Sequence, residues 1–278
     1  MAGFLIAWNV VWVLLALVAL AVAAAVTGCF TVWMKIGLGA DVAAHGSLPG
    51  MLVGLWIGAS SDSMALLLFT GAAGAAGALL LLFLLQRFTT TDAAMAVSLS
   101  IAFGAGLAAL SVLQHQATVM VPGIGQLFYG FAAGMPRHEA VWFIAVAAGV
   151  VVMLWLIMPR LVSLIHNPQA AWLSGDDSPL LRLIFGIALL LLIAASVRAV
   201  GVVMVVGFLL FPTAIARCWY PHWRQQLYAA MVAAVLVTVP AVLLSAVLPD
   251  LPTGALVVAL YALVLGLSLF RLQWREVA

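Results

Sequence analysis

The stretch GADVAAHGSLPGMLVGLWIG, residues 39–58, carries an aspartate and a histidine four positions apart in an otherwise apolar run. Residues four apart lie on one face of a helix, so Asp41, His45 and Pro49 form one stripe. Because proline has no N–H to donate, Pro49 leaves the backbone carbonyl of His45 without its helical partner. Taking an ionised aspartate to the centre of a bilayer costs about 2.5–3.5 kcal/mol on insertion scales, so such a residue indicates function if the helix lies in a membrane.

The composition indicates a polytopic membrane protein. Of the 278 residues, 67% are hydrophobic and 6% are charged, whereas a soluble domain carries roughly a quarter charged residues. The net charge of +2 is too small to suggest nucleic-acid binding. The two cysteines form no CxxC pair, which argues against a disulfide framework or a cysteine metal site.

Polar residues divide the chain into about nine segments long enough to span a bilayer, for which about 20 apolar residues suffice. The count falls to eight if the break at 196–201 is re-entrant. The chain is expected to be one transmembrane domain over residues 1–278. The predicted spans are Phe4–Met34, Val42–Ala59, Met64–Leu85, Ala93–Leu113, Ala140–Met158, Leu180–Val197, Val200–Ala216, Gln226–Leu248 and Gly254–Phe270.

The distribution of positive charge predicts the orientation. With the N-terminus outside and nine crossings, eight of the ten Lys and Arg residues fall in inside loops, in agreement with the positive-inside rule. The longest inside loop, Arg160–Arg182, faces the cytoplasm on this topology. In its HNPQAAWLS core, residues 166–174, Pro168 is followed by helix-compatible residues, which predicts a short helix along the membrane face.

Small residues predict where helices approach closely. Glycine recurs every four positions from Gly46 to Gly58, and GAAGAAG occupies residues 71–77. Such patterns are typical of packing seams between membrane helices. A purely structural role for these glycines is therefore the simplest interpretation.

The oxygen and nitrogen donors of Asp41 and His45 suit Zn²⁺, Mn²⁺ or Fe²⁺ better than Cu⁺, which prefers sulfur. One such pair is too small a ligand set for a tetrahedral or octahedral ion. Two chains that present the pair to a shared two-fold axis would supply more ligands. The competing interpretations are a helix cap for Asp41 and a hydrogen-bonded core histidine for His45.

The sequence carries no recognisable enzyme motif, which predicts that the chain is not itself an enzyme. It has no GxxxxGK[ST] motif, so any ATP hydrolysis belongs to a partner. It also has no GxSxG motif, and no pair of catalytic carboxylates is recognisable.

Several stretches together resemble the permeases of the metal-uptake ABC transporters, the manganese, zinc and iron group. GCFTVWMKIGLGADVAAHGSLPG is similar to a family run of Gly-Asp-Ala-x-x-His-x-x-x-Pro-Gly after a basic turn, although Ala40 stands at its usual glycine. The other similar stretches are TDAAMAVSLSIAFGAG, GQLFYGFAAG, VRAVGVVMVVGFLLFPTAIAR and DLPTGALVV.

The resemblance implies an all-α membrane bundle of the vitamin B12 and metal importer type, in the bacterial cytoplasmic membrane and surrounded by lipid. It implies a homodimer, a pair of cytoplasmic ATPase subunits and an extracytoplasmic solute-binding protein that delivers the metal. On this resemblance, Asp41 and His45 would contact the transported ion, which would be Zn²⁺ or Mn²⁺ or also Fe²⁺. No permanently bound cofactor is expected.

The inside loop takes the place of the family's coupling helix, although its AWLSGDD departs from the usual small-residue pattern. Two alternatives keep the transport role: a proton-coupled carrier with Asp41 and His45 as a relay, and an ABC permease for a metal chelate. The expected ATPase contacts are His166, Asn167, Pro168, Ala171, Trp172, Leu173 and Gly175.

Overall fold

The structure is a computed structural model that describes residues 2–57, 64–115, 135–174, 178–202, 204–248 and 252–277. These residues form ten helices in chain order. The helices are α1 (Ala2–Trp33), α2 (Gly37–Trp56), α3 (Met64–Leu85), α4 (Thr91–His115), α5 (Arg137–His166), α6 (Pro168–Leu173), α7 (Pro179–Val200), α8 (Val205–Trp219), α9 (Trp223–Val247) and α10 (Thr253–Val277).

The predicted all-α membrane bundle is confirmed, and each of the nine predicted spans coincides with a helix. Within the described ranges, seven helices are long and apolar enough to cross a membrane, namely α1, α3, α4, α5, α7, α9 and α10. Two of the nine helices that coincide with predicted spans are not among these seven, and one of them, α8, has only 15 residues. The remaining one, α2, has 20 residues but includes Asp41, His45 and Ser47. The count of eight to nine crossings was therefore approximate.

The helices pack in two groups that α7 joins. In the first group, α2 packs against α3 and α4. In the second, α1 packs against α5, α8 and α9, and α10 packs against α8 and α9. Because α7 contacts α5 as well as α2 and α3, it connects the group that carries Asp41 and His45 to the rest of the bundle.

Close backbone contact between α1 and α8 forms part of the core. A Cβ atom added at Gly28 would collide with the backbone oxygen of Leu209. Next to it, the Thr213 hydroxyl lies 3.4 Å from the buried Cys29 Sγ and donates to it. Small residues at these positions bring the two helices together, as membrane interfaces generally require.

The glycine seam between α2 and α3 positions the helix that carries the candidate site. The seam consists of Gly46, Gly50 and Gly54 on α2 with Thr70 and Gly74 on α3. A Cβ atom built on Gly74 would lie 2.8 Å from the Gly50 Cα atom, and one built on Gly50 would meet the backbone oxygen of Thr70. The predicted close approach is confirmed for these residues.

The glycine pattern extends beyond this seam at two positions. Gly58 lies outside the described residues. A Cβ atom at Gly77 would have no neighbour within 4 Å, so this glycine of the GAAGAAG stretch takes no part in the contact.

A buried ion pair connects the start of α5 to the end of α7. The Arg198 Nη2 atom donates to Glu139 Oε1 at 2.9 Å, and the two side chains are 14% and 2% exposed. The chain turns immediately after α7 ends at Val200, because the next residue, Gly201, adopts a φ of 97°. The ion pair therefore fixes α7 immediately before the bend that leads into α8.

Adding a methyl group to the seam should destabilise the protein. We expect Gly50→Ala and Gly74→Ala each to lower the free energy of unfolding by about 1–3 kcal/mol, because the backbones must separate to admit the Cβ atom. Thermal unfolding of the detergent-solubilised protein measures the effect. The matched control is Gly77→Ala, which has open space and a more favourable helix propensity by about 1 kcal/mol. Equal stability of Gly74→Ala and Gly77→Ala would contradict the seam.

Candidate functional site

The Asp41 and His45 side chains meet on α2. The His45 Nδ1 atom lies 3.2 Å from Asp41 Oδ1 and 3.1 Å from the Asp41 backbone oxygen. The spacing of four residues places the imidazole one helical turn beyond the carboxylate, as the sequence predicts. The structure therefore brings the two predicted metal-contacting residues into direct contact.

The hydrogen-bond partners determine which imidazole nitrogen is available. Both atoms near His45 Nδ1 are oxygens that accept hydrogen bonds, so in the neutral imidazole Nδ1 carries the proton and Nε2 has the free lone pair. A carboxylate that binds one imidazole nitrogen in this way orients the ring and makes the other nitrogen a better metal ligand. Asp41 also retains a carboxylate oxygen outside this bond.

The pair is only partly covered by the chain. The His45 side chain is 16% exposed and the Asp41 side chain 28% exposed. From α4, the Phe103 ring packs edge-on against the His45 imidazole with 5.6 Å between the ring centroids. Phe103 was not predicted, since an aromatic residue in an apolar helix gives no signal of contact with a polar residue on another helix.

The backbone next to the pair is also unusual. Pro49 lies inside α2, where it removes the N–H that would bond the His45 carbonyl. A Cβ atom at Gly106 of α4 would lie 3.5 Å from the Pro49 Cδ atom, so α4 approaches α2 closely at the proline. The same face of α2 thus presents a carboxylate, an imidazole and a carbonyl released from helical hydrogen bonding.

One chain offers few metal ligands. Among the described residues, no group of three or more His, Cys, Asp or Glu side chains is placed to hold a metal ion. A divalent transition metal takes about four to six ligands. Asp41 and His45 of one chain are therefore too few to form a complete site for such an ion.

The predicted short helix in the inside loop is confirmed as α6, Pro168–Leu173. It follows α5 directly, and Asn167 lies between the two helices with its N–H bonded to the Ser163 oxygen. Trp172 is 72% exposed and Leu173 is 78% exposed. These two residues therefore give α6 an exposed apolar face.

Three other residues predicted as ATPase contacts differ in their surroundings. Ala171 is fully buried, so its side chain packs within the chain. His166 lies at the end of α5 with its ring 6.4 Å from that of Trp33 and 6.3 Å from that of Trp223. Gly175 lies outside the described residues.

The Glu139–Arg198 ion pair was also not predicted from the sequence. Its partners are 59 positions apart, beyond the reach of any helical periodicity. The available signal was that Glu139 and Arg198, which carry opposite charges, each lie next to the end of a predicted span.

Comparison with known proteins agrees with this architecture. A model of the ABC 3 transport family matches residues 8–271. The chain is 27% identical over 255 residues to the manganese transport system membrane protein MntC of Bacillus subtilis, covering 90% of this chain. The chain spans 58% of the length of that relative.

Two further proteins resemble the chain over most of both lengths. It is 23% identical over 246 residues to the zinc transport system membrane protein TroC of Treponema pallidum, covering 86% of this chain and 83% of the relative. The solved structure of PsaBC from Streptococcus pneumoniae, in complex with Fab, has a similar fold. The two structures superpose with a TM-score of 0.81 at 15% sequence identity. The match covers 92% of this chain and 89% of the other chain.

The family match covers almost all of the chain, and the apolar helices account for the membrane location. The protein is a multi-pass protein of the bacterial cytoplasmic membrane and belongs to the ABC 3 transport family.

Proposed function

We propose that the chain is the permease subunit of an ATP-driven importer that carries a divalent transition-metal ion, Zn²⁺ or Mn²⁺ and by the same donor chemistry Fe²⁺. The observation that carries this proposal is the contact between Asp41 and His45 on α2, 3.2 Å from nitrogen to oxygen. A mixed oxygen and nitrogen donor set suits these ions. The relatives named for manganese and zinc transport support the same cargo class.

The cargo site is completed by a second copy of the chain. Each copy supplies one carboxylate and one imidazole, so a two-fold axis beside α2 brings four ionisable ligands together. The partial exposure of Asp41 and His45 supports this arrangement. Lipid is a poor neighbour for a carboxylate, and a second copy would cover the exposed face.

The energy comes from partner subunits. The chain contains no GxxxxGK[ST] motif, so cytoplasmic ATPase subunits bind and hydrolyse the ATP. They engage α6, whose exposed Trp172 and Leu173 suit a contact with an apolar cleft. An extracytoplasmic solute-binding protein delivers the ion on the other side. Alternating access then moves the ion past Asp41 and His45.

Loss of either site residue should stop transport without unfolding the protein. In proteoliposomes with the ATPase, we expect Asp41→Asn and His45→Ala each to reduce uptake of radioactive Zn²⁺ or Mn²⁺ by about 10- to 100-fold. Asp41→Asn is the sharper variant because it keeps the side-chain shape and removes the charge. His138→Gln is the control, since it removes an exposed histidine at the start of α5. Normal uptake by both α2 variants would eliminate this site.

Adding charge to the exposed face of α6 should detach the ATPase. We expect the double variant Trp172→Asp and Leu173→Asp to lose the ATPase during co-purification and to lose ATP-driven uptake, while metal binding at α2 persists. The control is Gln169→Asp, which adds one negative charge at an exposed polar position of α6. Ala171 is avoided because a carboxylate there would be buried.

Two results would contradict this coupling contact. Metal-stimulated ATP hydrolysis that survives in the Trp172 and Leu173 double variant would place the contact elsewhere. Uptake driven by an imposed pH gradient in vesicles without ATPase would favour the proton-coupled carrier, for which the Asp41–His45 hydrogen bond is the relay.

A further inference from the structure

A polar cavity opens where α1, α5 and α8 end and α9 begins. Its volume is about 270 Å³. We call it the cationic pocket because Lys35, His166 and Arg217 line it, together with Trp33, Trp223 and Gln226. The ends of α1, α5 and α8 thus bring together three basic residues from separate parts of the chain, on the face that the charge distribution predicts to be cytoplasmic.

The cationic pocket has an unbalanced positive charge. No aspartate or glutamate is among the residues that line it. Across the described ranges, neither Lys35 nor Arg217 forms a salt bridge. Arg224 follows the lining residue Trp223 in the chain, and its guanidinium carbon lies 5.2 Å from the centroid of the Trp223 ring. The electrostatic complement of this surface is an anion.

Lys35, in the lining of the cationic pocket, has a backbone conformation that glycine adopts more readily than residues with a side chain. Lys35 has a φ of 61°, and it is the one non-glycine residue with positive φ in the described structure. Its N–H bonds the Val32 oxygen at 3.1 Å, and the Ile36 N–H bonds the Thr31 oxygen at 3.0 Å. This pattern ends helices and usually has glycine at the left-handed position. The lysine therefore replaces the residue that the turn itself would favour.

The other walls of the pocket are fixed by hydrogen bonds and ring contacts. The Gln226 side chain accepts from Trp33 Nε1 at 2.9 Å and donates to the Tyr220 oxygen at 2.9 Å. The rings of Trp33, His166 and Trp223 pack against one another, with ring centroids 6.3–6.4 Å apart. A ligand would thus meet a preformed cavity rather than a set of mobile surface side chains.

We propose that the cationic pocket binds the phosphate group of an anionic phospholipid. Basic pockets between membrane helices on the cytoplasmic side suit lipid head groups, and tryptophan concentrates at the head-group level of a bilayer. Beside Lys35, the exposed apolar residues Ile36 and Leu38 offer a surface to the acyl chains. This assignment is independent of which ion the protein transports.

Native mass spectrometry of the full-length protein, titrated with phosphatidylglycerol or phosphatidylethanolamine, tests the proposal. The wild-type protein should bind phosphatidylglycerol, which is anionic, more tightly than phosphatidylethanolamine, which is zwitterionic. Lys35→Gly and Arg217→Gln should each weaken that binding about fivefold, from the usual contribution of one cation near an anionic surface. Lys35→Gly is informative because glycine favours the left-handed turn, so the loss cannot be attributed to unfolding. Arg87→Gln is the control, an exposed arginine at the end of α3.

Four outcomes would overturn the proposal. One is phosphatidylglycerol binding by Lys35→Gly and Arg217→Gln equal to that of the wild type. Another is an equal loss in Arg87→Gln, which would indicate a diffuse charge effect. The third is loss of the co-purified ATPase with lipid binding unchanged, which would assign the pocket to an acidic group of that subunit. Displacement of the lipid by an excess of inorganic phosphate would instead identify a free anion as the ligand and would also contradict a lipid site.

Discussion

The cost of placing a carboxylate and an imidazole within a membrane bundle constrains the structure around α2. Asp41 and His45 meet this cost in part by bonding each other, with 3.2 Å between nitrogen and oxygen. The glycine seam then brings α3 against α2, where a Cβ atom at Gly74 would lie 2.8 Å from the Gly50 Cα atom. What the chain leaves exposed must be covered by something more polar than lipid. The proposed second copy and the transported ion meet that requirement.

Much of the fold was predictable because the deciding features are local. Long apolar runs specify the helices, since about 20 apolar residues span a bilayer. The contact of Asp41 with His45 follows from a spacing of four residues on one helix. The close approach at Gly46, Gly50 and Gly54 follows from the same periodicity. Even α6 was indicated by a proline at the start of a helix-compatible run.

The remaining features depend on contacts between distant parts of the chain. Hydropathy could not reveal that Glu139 bonds Arg198, because the ion pair forms only after α5 and α7 pack. The burial of Ala171 beside exposed Trp172 and Leu173 likewise depends on how α6 lies on α5. The cationic pocket requires four helix termini to meet, and no local pattern in the sequence indicates which termini do so.

In the proposed site, one metal ion is held jointly by Asp41 and His45 from two copies of the chain. X-ray absorption spectroscopy of the Zn²⁺-loaded protein, combined with metal and protein quantification, tests it most directly. We expect one ion per two chains, oxygen and nitrogen neighbours of the metal, and imidazole scattering that disappears in His45→Ala. One ion bound by each chain, or a spectrum that is unchanged in His45→Ala, would contradict it.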